Sequence, residues 1–186
     1  MNMEAVIQPV DRELIKNELT EDKFIGKTRT GGNLLFGITY KNSPNVMMEI
    51  GRLREISFRL GGGGTGKPID VDQFDTDPYD AYKQLIVWDP EDKEILGGYR
   101  YINCGGLPLE KLATAELYNF SDKFQKEYMP WTIELGRSFI QPNYQSTNLK
   151  RKSIFALDSL WDGLGALVLK YYNIKFLFGK VTMYTS

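Results

Sequence analysis

The stretch Trp131-Thr-Ile-Glu-Leu-Gly-Arg-Ser-Phe-Ile-Gln-Pro-Asn-Tyr144 decides how this chain is read. Its apolar and β-branched residues predict a strand over Trp131–Ile140. Yet that strand carries a carboxylate (Glu134), an arginine (Arg137) and a hydroxyl (Ser138). Packing alone gives no reason for such charge, because an unpaired ion in an apolar interior is costly. Alternation would send Glu134 and Arg137 to opposite faces. A bulge at Gly136 would bring them to one face. Burial between Ile133 and Leu135 would raise the Glu134 pKa toward the range of a general base. The other reading is an ion pair of Glu134 with Arg137 or Arg100 that only organises the site.

Working outward toward the C-terminus, Gln145-Ser-Thr-Asn-Leu-Lys-Arg-Lys-Ser is a basic turn. It leads into a helix over Ser153–Tyr172, with Ile154, Leu157, Leu160, Trp161, Leu164, Leu167, Val168 and Tyr171 on one stripe. Gly163 and Gly165 each cost such a helix about 1 kcal/mol against alanine, so a close neighbour is expected there. Lys175–Tyr184 reads as a last apolar strand. It has no closing element after it, and an exposed edge is a liability, so a truncated C-terminus is expected. Toward the N-terminus, Gln84–Trp88 and Glu94–Ile102 form a hairpin around Asp89-Pro-Glu-Asp-Lys. Ala113–Tyr118 and Ser121–Tyr128 are short helical pieces. Asn33–Tyr40 alternates as a strand, and Asn45–Leu60 keeps helical spacing. Gly61-Gly-Gly-Gly-Thr-Gly-Lys-Pro lacks the Lys-Ser/Thr ending of a phosphate loop, so it reads as a mobile loop over a site. Residues 1–30 read as an N-terminal extension and 31–186 as the domain. Phe58, Phe74, Trp161, Phe176 and Phe178 read as core. The order of elements gives a mixed α/β (α+β) domain around one sheet.

Composition removes several functions. A net charge of −1 offers no field for nucleic acid. The absence of histidine excludes Ser-His-Asp and Cys-His catalysis and histidine-held metal. Cys104, the single cysteine, cannot form an internal disulfide or a thiolate zinc cluster, which fits a reducing, cytoplasmic setting. No apolar run reaches the ~20 residues of a membrane span, so any membrane contact would be peripheral. No metal is expected. Proton transfer near neutral pH falls to carboxylates, tyrosines, lysines, a terminal amine or water.

Four groups of residues in this order resemble the Gcn5-related N-acyltransferase (GNAT) superfamily. They are Leu53-Arg-Glu-Ile-Ser-Phe58, Asp72-Gln-Phe-Asp75, Gly97-Gly-Tyr-Arg100, and Glu134-Leu-Gly-Arg-Ser138 with Leu160-Trp-Asp-Gly-Leu164 and Leu177-Phe-Gly179. Within it the chain is similar to the branch that takes long acyl chains from acyl carrier protein: the ornithine and glycine lipid N-acyltransferases, labelled hemolysin-like, and more distantly the acyl-homoserine-lactone synthases. The resemblance implies a twisted sheet splayed between its fourth and fifth strands, here Trp131–Ile140 and Lys175–Tyr184, with the donor's pantetheine arm in the splay. It implies a bulge amide at Gly136 as oxyanion donor. It also implies an ion network of Arg54, Arg100 and Arg137 with Asp72, Asp75 and Glu134 that shapes the acceptor pocket beside Ser138, although Arg54 and Asp75 read equally as surface charges. The lactone synthases carry a tryptophan where Gly61–Gly64 stands, which favours a lipid-type enzyme.

Acetyl-CoA enzymes of the superfamily place Gln/Arg-x-x-Gly-x-Gly/Ala after the fourth strand, and those glycines are missing here. Lys150, Arg151 and Lys152 are then either a solvated helix start or the contact for a carrier protein's phosphodiester and acidic face. The implied function is transfer of a fatty, or 3-hydroxy fatty, acyl group from acyl carrier protein to the α-amine of a small amino acid. The donor is a phosphopantetheine thioester or acyl-CoA, and the product belongs to aminolipid synthesis. A CoA-dependent N-acetyltransferase and a non-catalytic acyl-binding module remain as alternatives.

Overall fold

In the computed structural model, residues 3–145 and 150–181 are described, residues 150–154 by backbone alone. Asp11 opens α1 (Arg12–Glu18) by accepting hydrogen bonds from the Glu13 and Leu14 amides, as short acceptors do at helix starts. The far end of α1 caps a second helix. Glu18 accepts from the Asn45 and Val46 amides at 3.1 and 2.9 Å, two of the free donors that begin α2 (Pro44–Leu60). Between these helices lie β1 (Phe24–Lys27) and β2 (Leu34–Ile38). After α2 come the short α3 (Gln73–Thr76), then β3 (Lys83–Asp89), β4 (Glu94–Asn103) and β5 (Thr132–Ile140). Helix α4 (Lys150–Lys170) and β6 (Phe176–Gly179) complete the described chain.

The strands form one sheet in chain order, β1 to β6. Neighbours are antiparallel except β5 and β6, which are parallel. A parallel return needs a crossover, and α4 supplies it. Helix α2 buries Val46, Met47, Ile50 and Leu53 against Phe36, Ile38, Ile86 and Phe139 on one face. Helix α4 buries Ala156, Leu160, Leu164 and Leu167 against Leu35, Leu85, Val87 and Ile133 on the other. This is the α/β architecture expected from the sequence. Among the described residues the pairing with β6 ends at Leu135–Gly179, while β5 continues to Ile140. The splay is expected at this place. Among the described residues no helix is long and apolar enough to cross a membrane.

Several local expectations change. Residues 24–27 are part of the sheet, since β1 pairs with β2, and Ile15 of α1 is buried against the α2 core. The segment before residue 31 therefore supplies a strand and a packed helix. Among the described side chains the buried stripe of α4 is 156, 159, 160, 163, 164 and 167, which leaves Leu157 and Trp161 exposed at 52% and 64%. The reason is Gly163. A Cβ there would lie 2.8 Å from Leu85 Cδ2, so the bare position lets the helix settle on β3. Nothing lies within 4 Å of a Cβ at Gly165. Phe176 is 40% exposed, while Phe58, Phe74 and Phe178 are half-buried. Phe176 and Phe178 join a ring cluster with Phe120, Phe124 and Tyr128. The described part of the last strand ends at Gly179, and residues 182–184 of its expected span lie outside the described residues.

Candidate active site

Arg54 sits on the inward face of α2 with no exposed surface. Its Nη1 lies 3.3 Å from Asp75 Oδ2, and Nη2 donates to Gln84 Oε1 on β3. Asp75 belongs to α3, whose start is a reciprocal cap. Asp72 accepts from the Phe74 and Asp75 amides, and Asp75 accepts from the Asp72 amide at 3.2 Å. Arg100, on β4 opposite Gln84, donates from Nη1 to both Asp72 oxygens at 2.7 Å and lies 3.5 Å from Asp75. Its guanidinium stacks 4.9 Å above the Tyr82 ring. Arg137 closes the cluster, with Nε 2.9 Å from Asp70 Oδ2 and Nη2 3.2 Å from Asp72 Oδ2.

How Arg137 reaches this face is visible in the register. Gly98 faces Phe139 while Arg100 faces Gly136, so Arg137 and Ser138 together stand opposite Tyr99. The bulge is thus at Arg137–Ser138, one position after Gly136. Arg137 occupies the left-handed region at φ +49°, a conformation that side chains other than glycine adopt at a cost. The strain turns its guanidinium toward the aspartates and leaves Ser138 exposed, outside the cluster.

Glu134 lies on the same face but touches no arginine within ion-pair distance among the described residues. Its carboxylate is 2% exposed and accepts from Thr114 N at 3.2 Å and Thr114 Oγ1 at 2.8 Å. The Tyr82 hydroxyl also hydrogen-bonds it while accepting from the Ala113 amide. The expected ion pair is therefore replaced by hydroxyl and amide donors, because the turn Ala113–Glu116 packs over β5 just there. Burial pushes Glu134 above the usual carboxylate range, against the hydrogen bonds from Thr114 and Tyr82. Burial likewise raises Asp70, although Arg137 and Arg54 oppose it. At Asp72 burial also acts upward, but Arg100 and Arg137 outweigh it and hold the group below its ordinary value.

A cleft of about 260 Å³ lies against the cluster, and Thr65, Lys67, Asp70, Asp72, Arg100 and Arg137 help to line it. Lys180, just past β6, also lines it, so the cleft opens beside the parting of β5 and β6. The glycine-rich segment does lie over the site, and it is tied down. The fully buried Glu55 accepts from Thr65 N, Thr65 Oγ1 and Gly66 N at 2.9, 2.7 and 2.8 Å, and Arg59 Nε donates to it at 2.7 Å.

Arg54, Asp72, Asp75, Arg100 and Arg137, all expected from the sequence, come together. Asp70, Gln84, Tyr82 and Thr114 join them unannounced. Asp70 is placed by close packing on α2: a Cβ on Gly51 would lie 2.8 Å from Val71, and the Gly51 carbonyl accepts from the Asp70 amide at 3.0 Å. Lys150, Arg151 and Lys152 begin α4, and their side chains are outside the described residues. Among the described residues no group of three His, Cys, Asp or Glu side chains is placed to hold a metal.

A splayed sheet with a buried carboxylate and a bulge at the parting defines a class, and comparison with known proteins agrees. Residues 53–152 match the acetyltransferase (GNAT) domain family, and the chain belongs to it. The chain is 56% identical, over 99% of its length, to a glycine N(alpha)-acyltransferase of Bacteroides thetaiotaomicron. It is 53% identical, again over 99% of its length, to a glycine N(alpha)-acyltransferase of Phocaeicola vulgatus. It spans 56% and 58% of the lengths of those two relatives. No solved structure matches it.

Proposed function

We propose that this chain carries the acyl-transfer site of an enzyme that moves a fatty acyl group from a pantetheine thioester to the α-amine of glycine. The supporting observation is a cleft lined by Asp70, Asp72, Arg100 and the bulged Arg137, beside the end of the β5–β6 pairing, with the buried Glu134 held on the same strand by Thr114, whose neighbours Ala113 and Glu116 line that cleft. Membership of the GNAT family supports the reaction type, and the names of the two relatives support glycine as acceptor over ornithine.

In this reading the pantetheine arm enters between β5 and β6. The α-amine, mostly protonated at neutral pH, must lose a proton before attack. Glu134 is the terminal acceptor, reached through the Thr114 hydroxyl that already donates to it. Arg137 and Arg100, balanced by Asp70 and Asp72, set the charge for the amino acid's carboxylate, and such fork-shaped donors suit a carboxylate. The donor we favour is acyl carrier protein over CoA, because the turn after β5 lacks the glycines of a pyrophosphate nest and carries Lys150, Arg151 and Lys152. The product is a lyso-aminolipid made in the cytoplasm, with at most peripheral contact to the membrane that receives it.

The test is product analysis by mass spectrometry after incubation with acyl carrier protein thioesters or acyl-CoA and a mixture of amino acids. N-acylglycine formed faster from the carrier thioester supports the reading. Preferential use of acyl-CoA overturns the donor assignment, and no acylated amine from any donor overturns the activity.

A further inference from the structure

Gly136 is a glycine that neither packing nor backbone conformation demands. Its φ is not among the positive values found at five other glycines. A Cβ built on it would meet one atom within 4 Å, Arg100 Nε at 3.9 Å. The contrast with its neighbours across the sheet is sharp. A Cβ at Gly98 would sit 2.5 Å from the Leu85 carbonyl oxygen, so packing fixes that glycine. The bare space at 136 therefore opens onto a single polar atom.

That atom is itself unexplained by the fold. Arg100 is 3% exposed, and its Nε has no hydrogen-bond partner among the described residues. Nη1 of the same guanidinium is committed to both oxygens of Asp72. Buried donors in native proteins are almost always satisfied, so an exception calls for an explanation, a catalytic role among them. Gly136 directly follows Leu135, the last residue of β5 paired with β6. It is the point where a thioester lying in the parting would pass closest to the ion cluster.

We infer that Arg100 Nε–H is an oxyanion donor, and that the thioester carbonyl oxygen lodges over Gly136. This rests on the acyl-transfer reading and adds to it a catalytic residue and the reason for a glycine. The amine lone pair forms the C–N bond while the carbonyl π pair moves onto oxygen, and Nε–H donates a hydrogen bond to the resulting oxyanion. On collapse the pair returns to carbon, the C–S bond breaks, and the pantetheine thiolate leaves to take up the proton lost by the amine. Asp72 holds the arginine without occupying Nε, so the donor is oriented before the charge forms, which is what makes such a group effective.

The test is Gly136→Ala in the full chain. The added methyl fits beside Arg100 Nε and occupies the oxygen's place. With acyl donor and glycine supplied, kcat should fall about a hundredfold, the loss seen when one oxyanion donor is removed. The glycine KM should stay within about twofold and the melting temperature unchanged. Nitrogen-15 NMR gives a second readout on unreacted protein. An acyl-pantetheine ketone analogue, with CH₂ in place of the thioester sulfur, should move the Arg100 Nε–H resonance of the native chain and not that of Gly136→Ala. If Gly136→Ala turns over like the native chain, or if the ketone leaves the Nε–H resonance in place, the inference is wrong while the acyl-transfer reading survives. A native chain that acylates nothing removes both.

Discussion

Glu55 offers the most direct check on how the cleft is walled. Its carboxylate holds Thr65 and Gly66 through two backbone amides and a hydroxyl, and it is fully buried. In Glu55→Ala the Thr65 hydroxyl can turn to water, since Thr65 is exposed, and Arg59 is 19% exposed and can do the same. The two amides are less free to do so. A hydrogen bond to a charged acceptor contributes about 1.5–3 kcal/mol, so losing two costs roughly 3 kcal/mol at the lower bound. For a chain of 186 residues that lowers Tm by about 6–12 °C. Glu55→Gln keeps an oxygen for the amides but turns an NH₂ toward Arg59, and should lose about half as much. Urea unfolding measures both, with the midpoint moving and the slope constant. Because Thr65 and Lys67 line the cleft, the KM for the proposed glycine acceptor should rise in Glu55→Ala. A loss below about 1 kcal/mol would refute the claim that this carboxylate holds the loop.

Other substitutions separate the roles of individual groups. Glu134→Gln should keep the fold, because the amide oxygen can face Thr114 N while Thr114 Oγ1 turns to accept from the new NH₂; turnover with acyl donor should drop at least tenfold. The sign of its stability effect follows from the raised Glu134 pKa. A carboxyl raised by burial stabilises the fold below its unfolded value of about 4.3 and loses that contribution as pH rises through the folded value. Glu134→Gln should therefore melt no lower than the native chain at pH 8. Asp72 shifts the other way. Its contribution is present above about pH 4 and lost as pH falls through its lowered value, so Asp72→Asn should flatten the acid limb of a stability–pH curve below pH ~4. In α4, Gly165→Ala should gain about 1 kcal/mol from helix propensity, read as a higher melting temperature. Gly163→Ala should gain less or lose, because its methyl meets Leu85 at 2.8 Å. Gly51→Ala crowds Val71 at 2.8 Å and Ile69 at 3.2 Å, so it should shift the Asp70 loop and raise the KM for the proposed glycine acceptor with a net loss of about 1 kcal/mol.

The long periodic elements were legible in the sequence because their patterns are local. Alternation gave β2, the turn Asp89-Pro-Glu-Asp-Lys gave the hairpin of β3 and β4, apolar and β-branched residues gave β5, and helical spacing gave α2 and α4. Strand β1 was not legible. Phe24-Ile-Gly-Lys27 is four residues long and carries no clear alternation, and its pairing with β2 is a tertiary choice. Arg137 was suspected because a charge on an apolar strand is costly without a partner, whereas Arg54 and Arg100 were named through the family resemblance, and Arg54 read equally as a surface charge. Asp70, Tyr82 and Thr114 were hidden, since an aspartate after a glycine-rich loop, a tyrosine before a strand and a threonine in a turn are ordinary in sequence. The bulge was foreseen from the need to put Glu134 and Arg137 on one face. Its place was misjudged by one residue, because glycine is the usual occupant of a left-handed bulge and here arginine takes it.

The ion cluster draws on α2, the segment 70–75, β4 and β5, spread from Arg54 to Arg137. No two of its arginines share an element, and each aspartate lies between arginines that are distant in the chain. The cluster therefore cannot form in any fragment of the fold, and it reports on whether all four pieces are docked. Loosening one piece leaves several unpaired charges in a dry interior at once, which ties local breathing here to global unfolding. Amide exchange at Asp72, Asp75 and Arg137 should accordingly follow the slowest class in the protein, even though one side of the cluster faces an open cleft.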